Sequence, residues 1–187
     1  MAFQDIVNKL RKHYYRILSE QKAIPRGLVR SQPVIINGKG HIKVMGTSYI
    51  GYNPSPGFYD GVGYLEARYE DAEICIGDNV YINNCFSAIA EHGRIIIGDN
   101  CLIGCNVQIL NSDFHRVSIE HRNDGTQRSR DIIIGKNVWI GNDVTILKGV
   151  EIGDCSVISN GIKLNVSVPP RTAVLSDGHM VFKEIVD

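Results

Sequence analysis

An aliphatic residue recurs at every sixth position from Ile134: Ile134, Ile140, Ile146, Ile152, Ile158 and Leu164. A second set stands four residues after each of these: Val138, Val144, Val150, Ser156, Ile162 and Val168. Glycine follows the first position at Gly135, Gly141 and Gly153. The same frame runs earlier through Ile76, Ile82 and Ala88, then through Ile97, Ile103 and Ile109, and opens more weakly at Ile36, Ile42, Val44 and Ile50. Between 88 and 97 the step is nine, which predicts three extra residues at a corner. Between 109 and 134 it is 25, which predicts a long loop at about 110–131. A period of six is neither helical nor a simple strand alternation. It fits an all-β, three-sided parallel coil in which each hexapeptide is one short strand and one corner. The aliphatic residue fills the prism, and Gly, Asn or Asp at the corner relieves the backbone. Each coil covers its edges only against its neighbours, so stacking makes the unit stable.

The first residues read differently. Phe3, Ile6, Val7, Leu10, Tyr14, Ile17 and Leu18 fall at helical spacing, and Pro25 and Gly27 punctuate the end. This predicts an N-terminal helical segment over 1–30 that packs on the prism or caps its open first coil, followed by a β-helix domain with a C-terminal tail over 31–187. The Gly-, Pro- and Tyr-rich stretch 51–71 reads as an irregular excursion or a poorly matching coil.

Composition narrows the partners. The 187 residues suit one domain with a short appendage, and the formal net charge is zero. Nucleic acid or an anionic membrane as main partner normally demands a basic excess. No signal-type apolar core opens the chain, and no apolar run approaches the roughly 20 residues of a membrane helix. The expectation is a cytoplasmic protein without nucleic acid and without stable membrane insertion. Cysteines stand at 75, 85, 101, 105 and 155, an odd number with no CxxC pair, so they read as small apolar residues rather than as disulfides or zinc ligands.

The segment NSDFHRVSIEHRNDG at 111–125, followed by IIIGKNVWIGNDVTILKGVEIGD at 132–154, resembles the sugar O-acetyltransferases among the hexapeptide-repeat acyltransferases. These include the maltose and galactoside enzymes and those that acetylate capsular or O-antigen polysaccharides. The resemblance covers about residues 70–170. It implies a left-handed parallel β-helix, a hand that periodicity does not reveal and that departs from the usual right-handed crossover. It also implies a homotrimer, acetyl-CoA bound between subunits, a sugar or polysaccharide acceptor and no metal.

Acetyl transfer to a hydroxyl needs a base, and histidine titrates near the working pH. His115 matches the family's catalytic histidine. Asp113 reads either as an acceptor- or imidazole-orienting carboxylate or as a turn residue capping its own backbone. Asn83 matches an acceptor-binding asparagine, with Asn84 as the alternative register and a left-handed corner as the bland reading of both. Glu91 lies near a second acceptor-contacting carboxylate. Trp139 should face outward, lining the pantetheine channel, packing between subunits, or both. Gly141, Asn142, Asn160 and Asn165 match CoA-contacting positions. Lys148 is outward and reads as a solvated charge.

The chain departs from the family after this. It reads SNGI at 159–162 where GAGS is usual, then Asn165-Val166, then SDGHMVFKE in place of the closing loop. Basic residues that meet the CoA phosphates are absent at 166 and 180, leaving Lys163, Arg171 and Lys183 as substitutes. Arg116, Arg122, Arg128 and Arg130 suit either an acidic sugar or a solvated loop. Three rival readings stand beside this one. A γ-class carbonic anhydrase would need His92, His115 and His121 to converge, and their spacing does not match that class. A xenobiotic or amino-acid acetyltransferase usually carries a longer insertion after the histidine. A non-catalytic scaffold would go with the altered CoA tail.

Overall fold

A computed structural model describes residues 3–124, 128–176 and 180–186. Parts of the anticipated long loop (125–127) and of the SDGHMVFKE segment (177–179) lie outside the described residues. Helix α1 (Phe3–Leu18) leads into coils that each place one strand on each face of a prism. The first coil holds β1 (Leu28–Arg30), β2 (Val34–Asn37) and β3 (His41–Val44). The second holds β4 (Ser48–Ile50), β5 (Gly63–Ala67) and β6 (Glu73–Ile76), and the third β7 (Tyr81–Ile82), β8 (Ser87–Ala90) and β9 (Arg94–Ile97). The fourth comprises β10 (Leu102–Ile103), β11 (Gln108–Leu110) and β12 (Ile132–Ile134); the fifth, β13 (Trp139–Ile140), β14 (Thr145–Leu147) and β15 (Glu151–Ile152). β16 (Val157–Ile158), β17 (Lys163–Leu164) and a single bridge at Val168 make the last coil. β18 (Thr172–Ser176) extends the first face, and β19 (Met180–Glu184) closes it antiparallel. The three sheets run β1-β4-β7-β10-β13-β16-β18-β19, β2-β5-β8-β11-β14-β17 and β3-β6-β9-β12-β15, and will be called the first, second and third faces. The fold is the left-handed parallel β-helix.

The repeat behaves as its spacing demands. Both sets of sixfold positions from 134 to 168 are buried. Ser156, the one polar member, is reconciled with the interior by donating to the Pro169 carbonyl (2.9 Å) and accepting from Thr172 N–H (3.2 Å). The corners refine the expectation for glycine. The residue in left-handed conformation comes three positions after the inward aliphatic: Asn79, Asn100, Asn137 and Cys155 on one edge, Cys85, Asn106 and Asp143 on another. The glycine directly after the aliphatic serves close approach instead. The side-chain oxygen of Asp154 caps Lys136 N–H at 2.7 Å, and that of Asn160 caps Asn142 N–H at 2.8 Å. A Cβ on Gly135 or Gly141 would lie 2.2 Å or 2.3 Å from those oxygens. The motif therefore reads aliphatic, Gly, capping Asp or Asn, left-handed residue.

Two boundaries move. The first coil begins at Leu28, since β1 already pairs with β4, so the helical appendage ends short of residue 30. The stretch 51–71 divides: 51–62 is an excursion on the edge between first and second faces, and β5 is a regular strand between β2 and β8. The nine-residue step is the corner at 91–93, and the long loop joins β11 to β12 on the edge between second and third faces.

Candidate active site

Two groups of the expected residues form, on different sides of the prism. On the first face, register aligns Tyr49, Tyr81, Leu102 and Trp139 in one outward row. Tyr49 and Tyr81 stack with ring centroids 4.8 Å apart. Trp139 is 56% exposed, as its place between two inward residues requires. These side chains and the neighbouring edge enclose a groove of 280 Å³ whose lining includes Tyr52, Tyr81, Asn83, Gly104, Trp139 and Asn142. Asn83 occupies the slot where other coils carry glycine. The next coil carries Cys105 rather than an Asp or Asn at the capping position, and Asn83 Oδ1 itself accepts from Asn84 N–H (2.7 Å).

Asn84 is not the acceptor-facing partner that one register of the sequence allowed. It is fully buried, its Oδ1 accepts from Tyr52 N–H (3.0 Å), and its Nδ2 donates to the carbonyls of Tyr52 and Pro56 (both 2.9 Å). It is the corner cap of its coil and the anchor of the 51–62 excursion. The side-chain oxygens of Asn142 and Asn160 are caps as well, on Cys105 N–H (2.8 Å) and Asn142 N–H (2.8 Å). Gly141 is the glycine that Asn160 requires. Lys183 pairs in register with Ala173, in line with Val157 and Trp139. It thus ends the outward row that Trp139 belongs to, three strands or about 14 Å away, and gives that row a cation.

The second group lies on the edge between second and third faces. Asn111 and Ser112 are buried at the root of the long loop. Asn111 accepts from Glu91 N–H (2.8 Å) and donates to the His92 carbonyl (2.6 Å), and Ser112 Oγ donates to the Glu91 carboxylate. Glu91 also meets Arg68 at 3.8 Å, and the Arg68 guanidinium lies 4.7 Å over the Phe114 ring. Glu91 is therefore enclosed under the loop and anchors it, and does not offer a free carboxylate to an acceptor. Asp113 is ion-paired with Lys148. Asn165 is exposed on this same edge, away from Trp139.

His115 is exposed on the loop, with Nδ1 3.2 Å from the Arg122 carbonyl oxygen. A carbonyl only accepts, so Nδ1 carries the proton in the neutral ring and Nε2 is left with its lone pair. That tautomer is the one a general base needs. Beside the loop, His92, Gly93, Arg128, Ser129, Arg130 and Lys148 line a hollow of 570 Å³ with a predominantly basic wall.

The three histidines considered for a metal do not converge. His92 pairs with Asp71 (2.8 Å) and stacks on Tyr69, and His121 pairs with Asp124 (2.7 Å). Among the described residues no group of three or more His, Cys, Asp or Glu side chains could hold a metal ion.

Residues 131–161 match the family of the bacterial transferase hexapeptide (six repeats), and 94–109 match the hexapeptide repeat of succinyl-transferase. Two stretches of the chain thus match hexapeptide-repeat models, and the curated relatives it resembles are named acetyltransferases. Over 116 residues it is 40% identical to galactoside O-acetyltransferase of Escherichia coli K12; the match spans 62% of this chain and 56%, little more than half, of that relative. Among solved structures, the polysialic acid O-acetyltransferase OatWY is similar at 25% identity and TM-score 0.64, over 87% of this chain and 84% of that one. A galactoside acetyltransferase in complex with coenzyme A is similar at 25% identity and TM-score 0.54, over 98% and 82%.

Proposed function

We propose that this chain transfers an acetyl group from acetyl-CoA to a hydroxyl of a sugar or polysaccharide acceptor, with His115 as general base, in a homotrimer whose sites lie between neighbouring copies. The observation that carries the assembly is the division of the candidate site. The groove with Asn83 and Trp139 is on the first face, and the loop with His115 is on the opposite edge. One chain cannot bring both to one substrate, whereas a threefold arrangement sets the loop of one copy against the groove of the next. The sugar class rests on the named activities of the relatives.

In the reaction, the acceptor hydroxyl gives its proton to His115 Nε2 as its oxygen attacks the thioester carbonyl. A backbone N–H receives the developing oxyanion. The C–S bond then breaks, and the CoA sulfur takes the proton back from the imidazolium. Trp139 and the tyrosine row offer an apolar wall to the pantetheine arm, and Lys183 a cation toward the phosphates. The need for acetyl-CoA puts the reaction in the cytoplasm. The basic hollow of Arg128, Arg130 and Lys148 favours an acidic sugar over a neutral one.

The test is thiol release from acetyl-CoA against a panel of neutral and acidic sugars. His115→Ala should lose about 10²–10⁴ in rate. Mixed assemblies of His115→Ala and Asn83→Ala chains should regain activity that neither variant has alone. Acceptor-dependent turnover unaffected by His115→Ala removes the base assignment, and absence of complementation removes the shared site. No CoA binding at all leaves a scaffold. Turnover confined to amino-acid or xenobiotic acceptors would move the chain to another branch of the superfamily.

A further inference from the structure

Helix α1 is mounted on the prism by its polar side. Asn8 Nδ2 donates to the Ser31 carbonyl (2.8 Å), Arg11 to the carbonyls of Gly61 (2.8 Å) and Phe58 (3.3 Å), and Lys12 to the Arg30 carbonyl (3.3 Å). At about 100° per residue, Phe3, Ile6, Leu10, Tyr14 and Ile17 share one stripe, turned away from those contacts. Phe3 is 78%, Leu10 65% and Ile17 58% exposed, and no residue of the helix is buried. A stripe of this kind ordinarily seeks a core; here it faces outward along the helix.

Between the stripe and the prism runs a basic flank. Lys12, His13, Arg16 and Arg30, with Ile24 and Leu28, line a hollow of 300 Å³. Asp5 is the single acid of the helix, against Lys9, Arg11, Lys12 and Arg16. Burial and the neighbouring Arg30 and Lys9 charges press the Lys12 ammonium below its ordinary range, and burial and Arg16 do the same to Arg30. Lys12 and Arg30 therefore stand in the field of neighbouring cations at the hollow. A second copy of the helix would bring the same cations against them. An exposed apolar stripe flanked by Lys and Arg is the form of a helix lying in the plane of a lipid interface, and anionic headgroups attract such basic segments.

We propose that α1 docks the protein on an anionic membrane surface. Its apolar stripe enters the headgroup boundary, and the hollow of Lys12, His13, Arg16 and Arg30 receives a lipid phosphate. The helix lies on the bilayer: with 16 residues it is not a span, and among the described residues no helix is long and apolar enough to cross.

The test is flotation of the full chain with phosphatidylcholine vesicles, with and without phosphatidylglycerol. Leu10→Ser/Ile17→Ser removes two exposed side chains, and Lys9→Glu/Arg16→Glu reverses two charges; neither alters the core. The wild type should float with the anionic vesicles only, and less so as salt rises. Each double variant should partition at least about tenfold more weakly, with thermal unfolding unchanged. Wild type that stays off anionic vesicles overturns the proposal. So does binding that Leu10→Ser/Ile17→Ser leaves intact but inorganic phosphate abolishes, which would mark a site for free phosphate. A wild-type assembly, measured by light scattering, that the serine variant dissolves without any vesicle binding would assign the stripe to a second copy instead. None of these readouts depends on acetyl transfer.

Discussion

Helix α1 and the coil run from Ile134 to Leu164 are the two most regularly patterned stretches of the chain, and their apolar rows end up in opposite places. The coil row is buried to the last residue, whereas the helix row is the most exposed apolar surface of the N-terminal segment. Periodicity tells which side chains share a face. It does not tell what that face meets. In the coils the answer is forced, because a hexapeptide turn of three strands encloses its own inward positions and the next coil seals them. A single helix encloses nothing. Its orientation follows from whichever side finds partners, and here the carbonyls of Arg30, Ser31, Phe58 and Gly61 accept from Lys12, Asn8 and Arg11.

This contrast can be tested with matched deletions. Ile140→Ala should cost about 2–5 kcal/mol, by lost burial and the cavity left in a packed prism, read from the shift in a denaturant unfolding midpoint at unchanged slope. Asn84→Ala probes a polar side chain held inside by the repeat's own geometry. Tyr52 N–H and the Tyr52 and Pro56 carbonyls lose their partner, and about 1–3 kcal/mol should go with it. Proteolysis of the 51–62 excursion should quicken in parallel, with the remaining coils intact. Leu10→Ala deletes about as much apolar side chain as Ile140→Ala, yet should change stability by no more than about 0.5 kcal/mol. A large loss there would mean that the stripe is covered by another part of the chain, and the contrast between the two rows would fall.

The candidate site was legible only where, as in the fold, neighbouring positions in the chain decide it. His115 follows from a motif within one contiguous segment, and the outward place of Trp139 follows from the two inward residues beside it. The choice between Asn83 and Asn84 did not follow, because it depends on the hydrogen bonds that Asn84 makes to Tyr52 and Pro56, about thirty residues away. The partners of Glu91 and Asp113 did not follow either, because Ser112, Arg68 and Lys148 reach them only once coils are stacked. The repeat of aliphatic, Gly, then Asp or Asn at 76–78, 97–99, 140–142 and 152–154 marks the corner caps, and it identifies Asn142 as one from the chain alone.

The sequence by itself determined the three-sided coil, its inward rows, and the positions of the long loop and the corner. Each of these is set by spacing along the chain, where local geometry and burial agree. Only the tertiary structure decided which corner side chains are caps, where the basic hollows form, and which side of α1 meets the prism. A chain of zero net charge does not reveal that its cations gather in two separate hollows. That gathering depends on contacts between coils and between helix and coil, which no local pattern encodes.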